Sequence, residues 1–324
     1  MVSYEEFKKV VTEVFKDYLP ESMQNGEVEV KSLYAINKEM DGLFLRMPVE
    51  KSVSPTIYIN DMYESYQENN ELDYTIRRWA NAFVKKCERE KNRIVKKYKC
   101  NKDNIVFQLI NTDQNKKMLA DVPHREFNDL SIIYRGIIDR REGIVSSTLI
   151  DNSFAEMLGL TERDLFTLAV VNTQRLFPPV IKSITEVIKE LLIKKGIPVM
   201  VADTMVKDID DDEPMYVITN SMKINGAASV LYENNLHELA ERLESDLYLI
   251  PSSVHEMIAV STKIGDPYEI AAMIYEANIL VVNLEERLSN QVYLYDKEIR
   301  KISLATDTPN KKLDGKVSVS YLYE

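Results

Sequence analysis

Glycine is scarce in this chain, at nine of 324 residues. Loops that wrap nucleotide phosphates need several glycines at fixed offsets, because only backbone without a Cβ can approach the phosphate closely. Neither G-x-G-x-x-G nor G-x-x-x-x-G-K-[ST] occurs, which argues against dinucleotide-binding and P-loop functions. The two cysteines, Cys87 and Cys100, are too few for a four-thiolate zinc site, and neither stands in C-x-x-H spacing to a histidine. The three histidines, His124, His237 and His255, lie far apart in sequence, and the H-E-x-x-H pattern fails at Ala259. Their spacing predicts no metal site. The acidic stretch from Asp208 to Glu213 is no calcium loop either, since Glu213 and Thr219 occupy the positions that need Gly and Glu. It reads as a solvated loop, and no cofactor is expected. Long apolar runs are missing too. Nothing approaches the roughly 18–20 residues of a membrane span. The N-terminus reads as a capped helix rather than a leader, because Ser3 is followed by Glu6 in capping-box spacing. A cytoplasmic protein with no membrane contact is the expectation.

What is present is ordinary globular composition, 45% hydrophobic and 29% charged, with a net charge of −11. The length suits two domains, and we place the boundary near 122, giving 1–122 and 123–324. In the first, an amphipathic helix over 3–18 precedes strands at 28–36 and 43–47 joined by an Asp41-Gly42 turn. A long helix over 72–98 follows. In the second, the β-prone run Leu130–Ile138 and a strand ending at Leu149 precede helices at 161–176 and 180–195. A hairpin around Asn225-Gly226, a helix at 234–243, a strand pair around Pro251-Ser-Ser-Val-His-Glu256, a helix at 267–281 and terminal strands at 292–295 and 317–322 complete the map. Asn152 and Asn234 fall where helix caps are expected. The fold class is α+β, with helices packed on largely antiparallel sheets.

The order Leu149-Ile-Asp151, Leu158-Gly-Leu-Thr-Glu162, Ala169-Val-Val-Asn172, Leu176, the Asn-Gly corner and Asp246-Leu-Tyr-Leu-Ile-Pro-Ser-Ser-Val-His-Glu256 resembles the C-terminal part of the uncharacterised YtpQ-like bacterial proteins over residues 127–303. The phrases Ser54-Pro-Thr-Ile-Tyr58, Val122-Pro-His-Arg-Glu-Phe127 and Pro251-Ser-Ser-Val-His-Glu256 are similar to a related clostridial family of unknown function. The resemblance implies membership and a bacterial setting, and it carries no catalytic residue to this chain.

Two constellations remain. Ser253 and His255, two apart, share a face if the segment is an extended strand, with Glu256 on the other face. That arrangement permits a serine nucleophile with an imidazole base, with the acid drawn from elsewhere, but no G-x-S-x-G elbow accompanies it. Serine hydroxyls that satisfy a tight turn account for the same residues. The second is charge. Between Arg77 and Lys99, ten Lys or Arg face two Glu, a local +8 that leaves −19 on the rest of the chain. Arg77, Arg78, Lys85, Lys86, Arg89, Arg93, Lys96 and Lys97 are the candidate contacts for an acidic protein partner; the net negative charge disfavours nucleic acid. The leading expectation is a non-enzymatic interaction or regulatory protein, in a mobile-element setting or another. The alternatives are a serine-type hydrolase using Ser253 and His255, and nucleic-acid binding through residues 77–99.

Overall fold

The computed structural model describes residues 1–47, 55–91, 101–141, 144–207, 214–308 and 312–314. The chain separates into two compact units, residues 1–99 and 100–324.

The first unit opens as the sequence predicts. Ser3 caps the helix Tyr4–Val14 in a reciprocal capping box with Glu6, and Phe7 and Val11 form its buried stripe. A 3-10 turn, Phe15–Tyr18, continues that stripe with Phe15. Strands β1 (Glu27–Ala35), β2 (Lys38–Arg46) and β3 (Ile57–Tyr58) make an antiparallel sheet. The reversal between β1 and β2 falls at Ile36-Asn37, where Asn37 is left-handed with φ 61°, and not at Asp41-Gly42. Gly42 lies inside β2 opposite Lys31 because a Cβ there would come within 2.5 Å of the Leu33 side chain. Phe7, Phe15, Leu43, Ile59, Met62, Ile76 and Phe83 join the helices Tyr4–Val14, Ile59–Asn69 and Leu72–Lys91 and the sheet in one core. Phe15 meets Phe83 edge to face at 5.8 Å, a geometry aromatic pairs favour beyond simple burial. The long helix is described over Leu72–Lys91; its expected continuation to 98 lies outside the described residues.

The second unit contains two antiparallel sheets. In the first, β6 (Leu130–Arg141) pairs with β4 (Ile105–Asn111) along one edge, and with β5 (His124–Phe127) and then β7 (Ile144–Leu149) along the other. The pairing of β4 with β6 places residues 105–111 in this unit. The contacts therefore divide the chain at 99/100, upstream of the boundary near 122 read from the sequence. The second sheet runs in the order β13 (Lys301–Leu304), β12 (Tyr293–Asp296), β10 (Leu247–Ser253), β11 (Glu256–Ser261), β9 (Tyr216–Asn220) and β8 (Pro179–Ser183). Leu109, Ile132 and Tyr134 from one sheet and Ile218, Leu249, Met257 and Tyr295 from the other share a single core with the helices Glu162–Leu176 and Glu233–Leu243. Burying an aliphatic or aromatic side chain in such a core contributes about 1.5–3 kcal/mol.

Three local expectations are corrected. The helix predicted from Val180 begins only at Ile184, capped by Ser183, because residues 179–183 pair with β9 as a strand. The segment after Asn225-Gly226 is a 3-10 helix, Gly226–Leu231, and not a returning strand; Asn225 turns into it with φ 52°. Asp151 rather than Asn152 caps the helix Asn152–Leu158, its carboxylate accepting from Phe154 N at 2.7 Å, and Tyr232 precedes the helix in which Asn234 sits. The expected terminal strand 317–322 and the acidic stretch 208–213 lie outside the described residues.

Candidate functional site

β10 and β11 form the predicted strand pair, and Val254-His255 is the two-residue turn between them, with Ser253 opposite Glu256. His255 is therefore a turn residue, and the shared strand face assumed for Ser253 and His255 does not exist. The serine is brought to the histidine in another way: Ser253 Oγ accepts a hydrogen bond from His255 N at 3.1 Å. The imidazole looks elsewhere. Its Nδ1 accepts from Asn225 N at 3.1 Å, and its Nε2 stands 3.6 Å from the Glu286 carboxylate. Accepting at Nδ1 places the proton of the neutral ring on Nε2, facing that carboxylate. Ser252 Oγ donates to Glu256 Oε1 at 3.4 Å.

The turn's backbone is equally engaged. The His255 carbonyl accepts from Thr219 Oγ1 at 2.8 Å, Val254 N donates to Glu286 O at 2.8 Å, and Ala227 N donates to Val254 O at 3.3 Å. Gly226 makes this convergence sterically possible, since a Cβ would lie 2.5 Å from the His255 carbonyl oxygen and 2.3 Å from Thr219 Oγ1. The corner is thus a knot tying β9, the 3-10 helix, the β10–β11 turn and Glu286.

Beside it lies a small cavity of about 40 Å³, lined by Arg135, Ser147, Thr173, Phe177, Asn220 and Asn225 among others. A water needs about 10–15 Å³ measured this way, so the space exceeds one water. Asn225 belongs to both features, lining the cavity while its N–H holds His255. Arg135 sits mid-strand in β6, opposite Val106 and Leu149, and donates from Nε to Ser147 Oγ at 2.8 Å. Sequence reasoning missed it. The signal was there: one charge inside Leu-Ser-Ile-Ile-Tyr-Arg-Gly-Ile-Ile, where every neighbour reads as core.

Two further polar clusters are built into this unit. Arg125 grips Glu162 with both arms, Nε and Nη2 each 3.1 Å from a carboxylate oxygen, and stacks over Phe166 at 3.8 Å. Tyr134 also donates to Glu162 Oε1. Burial pushes the Glu162 carboxyl up, but the donors from Arg125 and Tyr134 prevail and hold it below its ordinary value of 4.5. Its charged form is favoured by folding, so its contribution is present above that value and lost as pH falls through the lower folded value. Glu162→Gln is expected to flatten the acid limb of stability, read as chemical-denaturation midpoints against pH; an unchanged limb would contradict this assignment. The other cluster is Asp129, whose carboxylate accepts from Ser289 Oγ at 2.6 Å and from Tyr293 OH at 2.5 Å.

His124 Nδ1 donates to the Val122 carbonyl at 2.8 Å, which fixes that ring as a structural partner of its own loop. Asn172 donates to Lys102 O at 2.7 Å. Among the described residues, no three His, Cys, Asp or Glu gather as a metal site, and no helix is long and apolar enough to cross a membrane. On the long helix, Arg77, Arg78, Lys85 and Lys86 are exposed. Arg77 is 3.4 Å from Asp73 and 5.4 Å from the Tyr18 ring, and Lys86 donates to Thr56 O at 2.8 Å. Arg89, Arg93, Lys96 and Lys97 have no described side chains.

Exposed apolar side chains occur on two helical stretches, one carrying Met273, Leu280 and Val281 and the other a pair of helices. The helices Ile184–Lys194 and Val199–Val206 pack on each other, with Ala202 buried. Leu191, Val199, Met200, Val201 and Met205 are exposed, Met200 at 83%.

These features define an α+β protein with antiparallel sheets. Residues 4–297 match the model of a family of unknown function, DUF5688, and the chain belongs to that family. Comparison with curated proteins and with solved structures returned no match.

Proposed function

We propose that the chain is a non-enzymatic interaction protein, and that the helical hairpin 184–206 is its docking element. The observation that carries this reading is the set of exposed Leu, Val and Met side chains on the hairpin, because folded chains rarely leave large apolar patches in water without a partner to cover them. Met is well suited to such a surface, since its unbranched thioether adapts to the shape it meets. The engagement of the His255 ring by Asn225 and Glu286 supports the non-enzymatic half of the proposal. A general base needs a ring nitrogen aimed at the nucleophile's proton. A cytoplasmic bacterial setting, and the finer YtpQ-like affiliation, are part of the same proposal and rest on the sequence resemblance. The acidic partner read from the charge of residues 77–99 is a separate contact that this reading does not need.

The test is site-specific photocrosslinking in the native host from a benzoyl-phenylalanine placed at 200 or 205, with Glu241 as a control position on another helix. One discrete adduct is expected from the hairpin positions, and Met200→Asp or Met205→Asp beside the probe should abolish it without lowering the melting temperature. No adduct from either hairpin position would overturn the proposal. Saturable hydrolysis lost in Ser253→Ala would transfer the function to the serine-type alternative.

A further inference from the structure

We propose that the cavity beside the β10–β11 turn is a binding site for a small oxyanion, a phosphate or carboxylate group, held by Arg135. This goes beyond the docking proposal and uses none of its residues.

Arg135 is half-buried against a face of β6 that otherwise presents Ile137, with Val106, Val145 and Phe177 completing an apolar surround. Among the described residues its one hydrogen bond is Nε to Ser147 Oγ, and no carboxylate pairs with it. Burial alone acts on the guanidinium, pushing it below the ordinary arginine value. A desolvated charge of this kind is normally matched by a counter-charge, since leaving it unmatched is strongly unfavourable. Two other arginines show the contrast: Arg125 has Glu162 and Arg300 has Glu233.

The bond to Ser147 uses Nε and leaves the two Nη groups, which carry four of the five guanidinium donors. That planar fork matches two oxygens of one carboxylate or phosphate. The rest of the lining is complementary. Thr173 brings a hydroxyl whose oxygen already accepts from Phe107 N at 3.1 Å, and Asn225 brings a side-chain amide with no hydrogen bond among the described residues. Asn220, by contrast, spends its amide on the loop, bonding Met222 N at 3.0 Å and the Ile224 carbonyl at 2.8 Å. That loop is thereby held in place before any ligand arrives. Among the described residues, no acid lines the cavity. Its volume of about 40 Å³ suits an oxyanion head group and not a whole nucleotide.

The experiment is isothermal titration of the full chain with inorganic phosphate, and separately with acetate, each against sodium chloride at matched ionic strength. One-to-one saturable binding of either anion is expected, and which one binds assigns the ligand to the phosphate or the carboxylate class. In Arg135→Met the affinity should fall at least about tenfold, the loss expected when a charge-assisted pair is removed. The unliganded variant should melt no lower than the parent, because the substitution removes an unmatched charge and keeps an apolar stem. A purely structural arginine predicts the reverse, a lower melting temperature with no anion effect in either protein. Should Arg135→Met not fold, the Arg135 guanidinium nitrogen resonances of the parent protein serve instead, and they should shift saturably on titration. No saturable binding of either anion, or binding that persists unchanged in Arg135→Met, overturns the proposal.

Discussion

Gly226→Ala should destabilise the protein by about 1–3 kcal/mol or more, the range for forcing extra volume into a filled site. The alanine methyl would lie 2.3 Å from Thr219 Oγ1, 2.5 Å from the His255 carbonyl oxygen and 2.8 Å from Asn220 N. Two of those three atoms are backbone, in β9 and in the β10–β11 turn, so no side-chain rotation relieves the contact. Relief requires moving the 3-10 helix away from both β9 and the turn, which breaks the Ala227 N–Val254 O bond and pulls Asn225 N off His255. Gly159 supplies the control. It ends the helix Asn152–Leu158 with φ +64°, and an added methyl there would have nothing within 4 Å. Gly159→Ala therefore meets only the left-handed backbone penalty of about 1 kcal/mol. Denaturant titrations of both variants check the ranking, and an equal or smaller loss at 226 would contradict the packing described for the corner.

Asp129→Ala is expected to lose about 2–6 kcal/mol. It leaves the hydroxyls of Tyr293 and Ser289 without their acceptor, and both residues are buried, at 1% and 0% exposure. Each orphaned buried donor costs about 1–3 kcal/mol. Asp129 also has a pH signature opposite to that of Glu162. Burial pushes its carboxyl above the ordinary 3.8 even though Ser289 and Tyr293 both favour the charged form. Folding thus favours the protonated acid, and the associated stability is fully present below 3.8 and declines as pH rises through the folded value. Asp129→Asn, which keeps one acceptor and cannot ionise, should cost less than the alanine variant and remove that decline. Urea midpoints measured from acid to neutral pH on the three proteins test this. A decline that survives in Asp129→Asn would assign it to another group.

Much of this architecture was legible before the structure. The capping box at Ser3, the β-prone run Leu130–Ile138 and the β10–β11 pair were written in local pattern, because capping chemistry and runs of β-branched residues act over a few residues. The failures have a common cause. Residues 179–183 carry the apolar content of a helix start, yet become a strand because β9 offers them an edge, and that edge is set by pairing across more than thirty positions. Asn225-Gly226 has a hairpin's dipeptide, but the glycine is required by the close approach of the His255 carbonyl and not by a returning strand. At the corner itself, the directions expected of Ser253 and His255 on a shared strand face were misjudged. Whether His255 stands in the strand or the turn depends on a one-residue register, with Ser253 opposite Glu256, and composition does not encode that. Asn225 and Glu286, thirty or more residues away from His255, were invisible for the same reason. The exposed apolar hairpin was hidden differently, since its Leu, Val and Met content looks like core until burial is known.

What the His255 ring does separates a structural corner from a catalytic one, and nitrogen-detected NMR of that ring reads it directly, at a pH where the imidazole is neutral. The prediction is an Nε2–H tautomer with a through-hydrogen-bond coupling between Nδ1 and the Asn225 amide nitrogen. A proton on Nδ1, or a coupling that ties the ring to the Ser253 hydroxyl, would contradict it.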